Sequence, residues 1–126
     1  MKRIINTSKA PSPIGPYNQG VVSGNMLFTS GQIAIDPKTG ELVLNNIESE
    51  TIQVMENLKV VLEEAEMTFQ NVIKTTIFIS DMNNFNAINE VYGGYIDHDT
   101  APARETVEVA RLPKDVNVEI SMIASK

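Results

Sequence analysis

The chain has no cysteine. Disulfides, thiolate nucleophiles and cysteine-held metals are therefore excluded. Its single histidine, His98, excludes a multi-histidine metal centre within one chain. No apolar run approaches the roughly 20 residues that a membrane helix needs. The opening MKRIINTSKAPSP is basic but lacks the apolar core of a secretory signal. The expectation is a cytoplasmic protein with no membrane partner, in which the sequon Asn6-Thr7-Ser8 stays idle. Basic runs are missing too: ten Lys and Arg are scattered among sixteen Asp and Glu, for a net charge of −6. Nucleic-acid binding draws on clustered cations, so no nucleic-acid partner is expected. A small anionic ligand would have to be attracted by one local cation rather than by the whole surface. Phosphate loops, dinucleotide fingerprints and metal motifs are also absent, and no metal or organic cofactor is expected.

What remains is a chain of 126 residues, 42% hydrophobic and 21% charged, suited to a single domain, 1–126, with one core. Residues 3–7 alternate weakly, as a short edge strand does. The loop APSPIGPYNQG crowds three prolines and a glycine into positions 11–16, which makes it ordered but non-helical. Two β-prone runs, 19–22 and 26–30, flank Ser23-Gly24-Asn25 and predict a hairpin. DPKTGEL, 36–42, reads as a turn. Helical spacing then takes over from 48 to 67 through Met55, Leu58, Leu62 and Ala65, with Glu48 and Glu50 suiting the positive end of that helix. VIKTTIFI, 72–79, is apolar on both parities, as in a central strand buried on both faces. Asp81 is the expected N-cap of a second helix carrying Phe85, Ile88, Tyr92 and Tyr95. Strands 104–110 and 116–124 close the chain.

The order β-ββ-α-β-α-ββ predicts an α+β fold: a sheet with two helices on one face. The last strand sends Val116, Val118, Ile120, Met122 and Ala124 one way, and Asn117, Glu119, Ser121 and Ile123 the other. A mixed second face without helices to cover it points to burial between subunits, with wet pockets at the seams.

Several residues could carry chemistry. Arg104, entering a strand after Pro102, is either a carboxylate or phosphate clamp or a surface charge paired with Glu105 or Glu108. Arg111 reads as a turn-side charge. Glu119, between two aliphatic residues, either faces solvent or lines a cavity where burial would raise its pKa; Glu108 is open to the same two readings. Tyr17, aimed by a proline-stiffened loop, either donates a hydrogen bond to a ligand or plugs the core edge. Ser30-Gly31 is either a site of close ligand approach or a simple turn. Ser30 has no histidine partner, and His98 reads as a solvated loop residue.

Four segments, taken in order, are more specific than any one residue: IGPYNQG (14–20), FTSGQIAIDPKTGE (28–41), VIKTTIFISDMNNFNAINEVY (72–92) and PARETVEVARLPKDVNVEI (102–120). Together they resemble the RidA (YjgF-like) family of reactive-intermediate deaminases over essentially the whole chain. The resemblance implies a chorismate-mutase-like fold, a homotrimer with clefts between subunits, and hydrolysis of 2-imino acids and their enamines to 2-keto acids and ammonia. It implies that Arg104 binds the substrate carboxylate and that Glu119 handles water or protons. Tyr17, Ser30, Gly31, Asn89 and the backbone at Thr106 correspond to its pocket positions. Its usual small residue and cysteine are Glu105 and Thr106 here. Strand alternation should turn Glu105 away from Arg104. The alternative reading is a non-catalytic module that senses 2-keto acids or another carboxylate.

Overall fold

The computed structural model describes residues 1–126. Six strands form one mixed sheet: β1 (Lys2–Ile5), β2 (Gly20–Ser23), β3 (Met26–Thr29), β4 (Val72–Ile79), β5 (Ala103–Glu108) and β6 (Val118–Ser125). Their spatial order is β1-β2-β3-β6-β4-β5, and every pair is antiparallel except β4 with β5. The expected hairpin is β2–β3, with Ser23 opposite Met26 and Gly24 at φ +60°, a conformation in which a side chain would be strained.

Helix α1 (Ile47–Glu64) begins at Asn46, whose side chain accepts from the Ser49 amide, a cap worth about 1 kcal/mol. Its apolar stripe of Val54, Met55, Leu58, Val61 and Leu62 is fully buried. Helix α2 (Phe85–Gly93) is shorter and stops at the paired glycines. Asp81 caps the 3-10 turn that leads into α2, Met82–Asn84, rather than α2 itself. Both helices share one core with Leu27, Ile77, Ile79, Val118, Ile120, Met122 and Ala124 from the sheet.

The two faces of the sheet differ. Strand β4 is central, as expected, but it is buried on one face only. Thr75, Ile77 and Ile79 are buried, whereas Thr76 and Phe78 are only half-buried. The apolar residues on the second parity therefore lie on a face that this chain leaves partly open, beside exposed Phe28 and Val107. A small cluster of Ile33, Leu112 and Val116 packs on Phe78 and covers one end of that face.

Candidate functional site

The residues singled out from the sequence fall into two groups. The first surrounds Glu119. The loop of residues 11–17, the segment 30–35 and Pro113 enclose a cleft of about 380 Å³ that contains Tyr17, Ser30, Gly31 and Glu119. The loop is held from beneath by Gln19. Its buried amide donates to the carbonyls of Thr7, Ala10 and Pro11, and its oxygen accepts from the Thr7 amide. Ser30 donates its hydroxyl to the Asn18 carbonyl at 2.6 Å, so it serves as a fastener, with lone pairs left to accept. The Tyr17 hydroxyl accepts from the Ile14 amide at 3.3 Å and keeps its own proton free to donate.

Glu119 projects from β6 toward the open face, half-buried and without a hydrogen-bond partner in the chain. Burial pushes its carboxyl above the ordinary 4.5, the direction that suits a group exchanging protons near neutrality. Gly31 makes this placement possible: a Cβ there would stand 2.8 Å from the Glu119 Cδ and 2.9 Å from its Oε2. Glycine is required for close approach rather than for backbone freedom.

The second group surrounds Arg104. A cleft of about 490 Å³ lies over α2, lined by Arg104, Asn89, Tyr92, Gly93 and His98 among others. The Arg104 Nη1 donates to the Asn89 Oδ1 at 2.7 Å, and its Cζ lies 5.1 Å from the Tyr92 ring centroid and 5.8 Å from that of Phe85. Two aromatic rings and one amide thus orient the guanidinium while most of its donors stay unpaired. The Tyr92 hydroxyl is anchored to the Thr75 Oγ1 at 2.9 Å, and burial raises its pKa despite that bond and the nearby arginine. The Thr106 Oγ1, two residues further along β5, is buried without a partner. His98, exposed at the rim, lies 3.1 Å from the Gly93 carbonyl through its Nε2.

Glu105 lies on the opposite face from Arg104, as alternation requires, held by Lys74 at 3.2 Å and by the Thr76 hydroxyl. It does not compete for the guanidinium. Arg111 pairs with Asp115 at 2.6 Å at the turn. Glu108 caps the Met82 amide at 2.7 Å instead of lining a cavity.

The two groups do not meet within the chain. Arg104 pairs with Thr75 and shares its helix-covered face, whereas Glu119 pairs with Phe78 on the open one. The strand spacing of about 4.8 Å and rise of about 3.3 Å put their Cα atoms on the order of 14 Å apart. The sequence does not single out four buried polar residues: Gln19 and Gln32, which line the first cleft, and Glu50 and Asn57 on α1. The Asn57 amide donates to the carbonyls of Ile33 and Ile35, holding the cleft wall. Glu50 and Asn57 fall on the apolar stripe of α1, and that was the available signal. No three His, Asp or Glu side chains gather as a metal-ligating group.

A mixed six-stranded sheet with two helices on one face, and clefts at its loop end and its edge, defines a YjgF-like α+β protein. The chain belongs to the endoribonuclease L-PSP family, whose model matches residues 7–126. A RutC family protein from Synechocystis is 54% identical over 123 residues, covering 97% of this chain and 95% of its own. A 2-iminobutanoate/2-iminopropanoate deaminase from Salmonella typhimurium is 47% identical over 126 residues, covering 98% of each. The crystal structure of E. coli TdcF with bound serine matches with a TM-score of 0.92 at 46% identity, covering 98% of each chain.

Proposed function

We propose that this protein hydrolyses 2-imino acids, such as 2-iminobutanoate and 2-iminopropanoate, and their enamine tautomers, at sites completed by a second copy of the chain in a homotrimer. The observation that carries the reading is the division of labour just described. One cleft holds an oriented guanidinium, the other a desolvated carboxylate, and no small substrate can touch both within one chain. The partly open sheet face with Phe28 and Val107 supports assembly. The deaminase name of the Salmonella relative supports the substrate class, and the serine bound to TdcF supports a ligand with an α-carboxylate.

In this mechanism Arg104 of one subunit takes the substrate carboxylate in a two-pronged grip and sets the C=N carbon over the neighbour's cleft. Glu119 accepts a proton from water as the water oxygen bonds to that carbon of the protonated imine and the C=N electron pair moves onto nitrogen. The resulting amino alcohol loses its C–N bond when Glu119 returns the proton to nitrogen. Ammonia departs with the C–N electron pair, and the carbonyl forms as the hydroxyl proton passes to the Glu119 carboxylate and from there to water. Tyr17 donates to an oxygen of the bound molecule, and the Thr106 backbone supports the carboxylate. The test couples a serine or threonine dehydratase to this protein and follows the decay of the released imine, which should accelerate in proportion to the protein added. Unaccelerated decay, with a thermal shift on adding 2-oxobutyrate, would instead favour a carboxylate-sensing module.

Gly31→Ala is expected to lower kcat by about 10-fold or more, because the new methyl group displaces the Glu119 carboxylate. A variant with wild-type kcat would show that the close approach is unnecessary.

A further inference from the structure

Glu50 is a fully buried carboxylate for which the proposed mechanism has no use. It sits in the first turn of α1 and reaches across to the start of β6. Its Oε2 accepts from the Asn117 amide at 2.7 Å and the Val118 amide at 3.3 Å, and its Oε1 accepts from the Asn117 Nδ2 at 2.7 Å. A carboxyl group is retained at such depth only where donors meet its oxygens, as the Asn117 and Val118 amides do here.

The edge of β6 that faces away from β4 explains the contact. Ala124 lies beside β3 there, but toward the other end of β6 the neighbouring strand has run out. The Met122 amide is met by the Thr29 hydroxyl and the Ile120 amide by the Gln32 carbonyl. For Val118 and Asn117 the Glu50 carboxylate is the acceptor, standing where a strand would be. Asn117 is fastened on its other side too, its carbonyl accepting from the Ser80 amide at 3.1 Å. Pro113, across the same cleft from Gly31, lies just before this anchor, on a turn whose Lys114 and Asp115 have φ of +55° and +58°. A turn strained at two successive residues needs a firm attachment beyond it.

We infer that Glu50 is a positioning residue: it substitutes for a missing strand at the start of β6 and so holds Glu119, one residue past its contacts, against Gly31. The inference rests on the reading of Glu119 as the proton-handling group. Arg104 lies two strands away on the opposite face, so its grip on the carboxylate is independent of Glu50.

The test compares Glu50→Ala, Glu50→Gln and wild type in the coupled imine assay. Glu50→Ala should lower kcat by about 10- to 100-fold with KM changed less than about twofold. Glu50→Gln should recover most of the rate, since its amide oxygen still accepts both backbone amides and the Asn117 amide can turn over. In a Glu119→Gln background, Glu50→Ala should cause no further loss. A wild-type kcat in Glu50→Ala, a KM that rises as kcat falls, or an undiminished loss in the Glu119→Gln background each overturns the inference. If Glu50→Ala does not fold, Asn117→Ala should show the same loss of kcat on a smaller scale, and a wild-type kcat there would overturn it equally. A wild-type protein with no imine hydrolysis overturns the reading of the site itself; an active wild type indifferent to Glu50 overturns only this role.

Discussion

Arg104→Ala should lower kcat/KM for imine hydrolysis by about 100-fold or more while leaving the fold intact. Two charge-assisted hydrogen bonds to a carboxylate are lost, a change on the order of 3 kcal/mol. What the chain itself loses is one hydrogen bond to Asn89 and a stack on Tyr92 and Phe85, at a half-exposed position. A cation–π contact of that kind contributes about 0.5–1 kcal/mol, so Tm should move little. Arg104→Lys separates charge from shape. A lysine keeps the attraction but not the planar fork, and its rate should lie between wild type and alanine. Steady-state rates against added dehydratase product, beside melting curves, decide the matter. Wild-type rates in Arg104→Ala would remove the clamp from the mechanism.

Glu119→Gln should lower kcat by about 100-fold with binding of 2-keto acids retained, because the amide keeps the shape but accepts no proton. The pH profile supplies a second check. Burial raises the Glu119 pKa, and the ionised form is the working base, so activity should fall as pH drops through a value above the ordinary 4.5. Stability follows the opposite sense. A carboxyl whose folded pKa is raised contributes stability below its ordinary value and loses that contribution as pH rises through the raised one. Near neutrality the ionised Glu119 therefore weakens the fold, and Glu119→Gln should raise Tm slightly while abolishing fast turnover. Half-exposure to water keeps the gain small. A lowered Tm would mean that the carboxylate is held by partners rather than desolvated.

Much of the architecture was legible because period and turn chemistry act locally. β4 covers the residues its β-branched run marks, 72–79, and α1 departs from its expected span only at the ends. The alternation that sends Glu105 away from Arg104 follows from strand geometry alone. The environment of β4 differs from the two-sided burial its sequence predicts, for a physical reason. An apolar residue looks the same in sequence whether its cover comes from its own chain or from another, and Thr76 and Phe78 find only partial cover in this one. In sequence Glu50 suits the helix dipole, whereas its carboxylate turns inward to β6. Nothing local distinguishes a surface acid in a first helical turn from a buried one, except that position 50 falls on the stripe of Val54, Leu58 and Val61. The separation of Arg104 from Glu119 was not legible at all, because it depends on strand order and on which parity each strand turns toward the helices.

That separation is the centre of the functional account, and mixing two inactive variants tests it most directly. Arg104→Ala and Glu119→Gln chains, unfolded together in equal amounts and reassembled, should regain about a quarter of wild-type activity. Each site draws its arginine from one chain and its glutamate from the next, so about one site in four receives both intact residues. Reassembled mixtures no more active than either parent, in a sample shown by mass to contain mixed oligomers, would contradict a site shared between subunits.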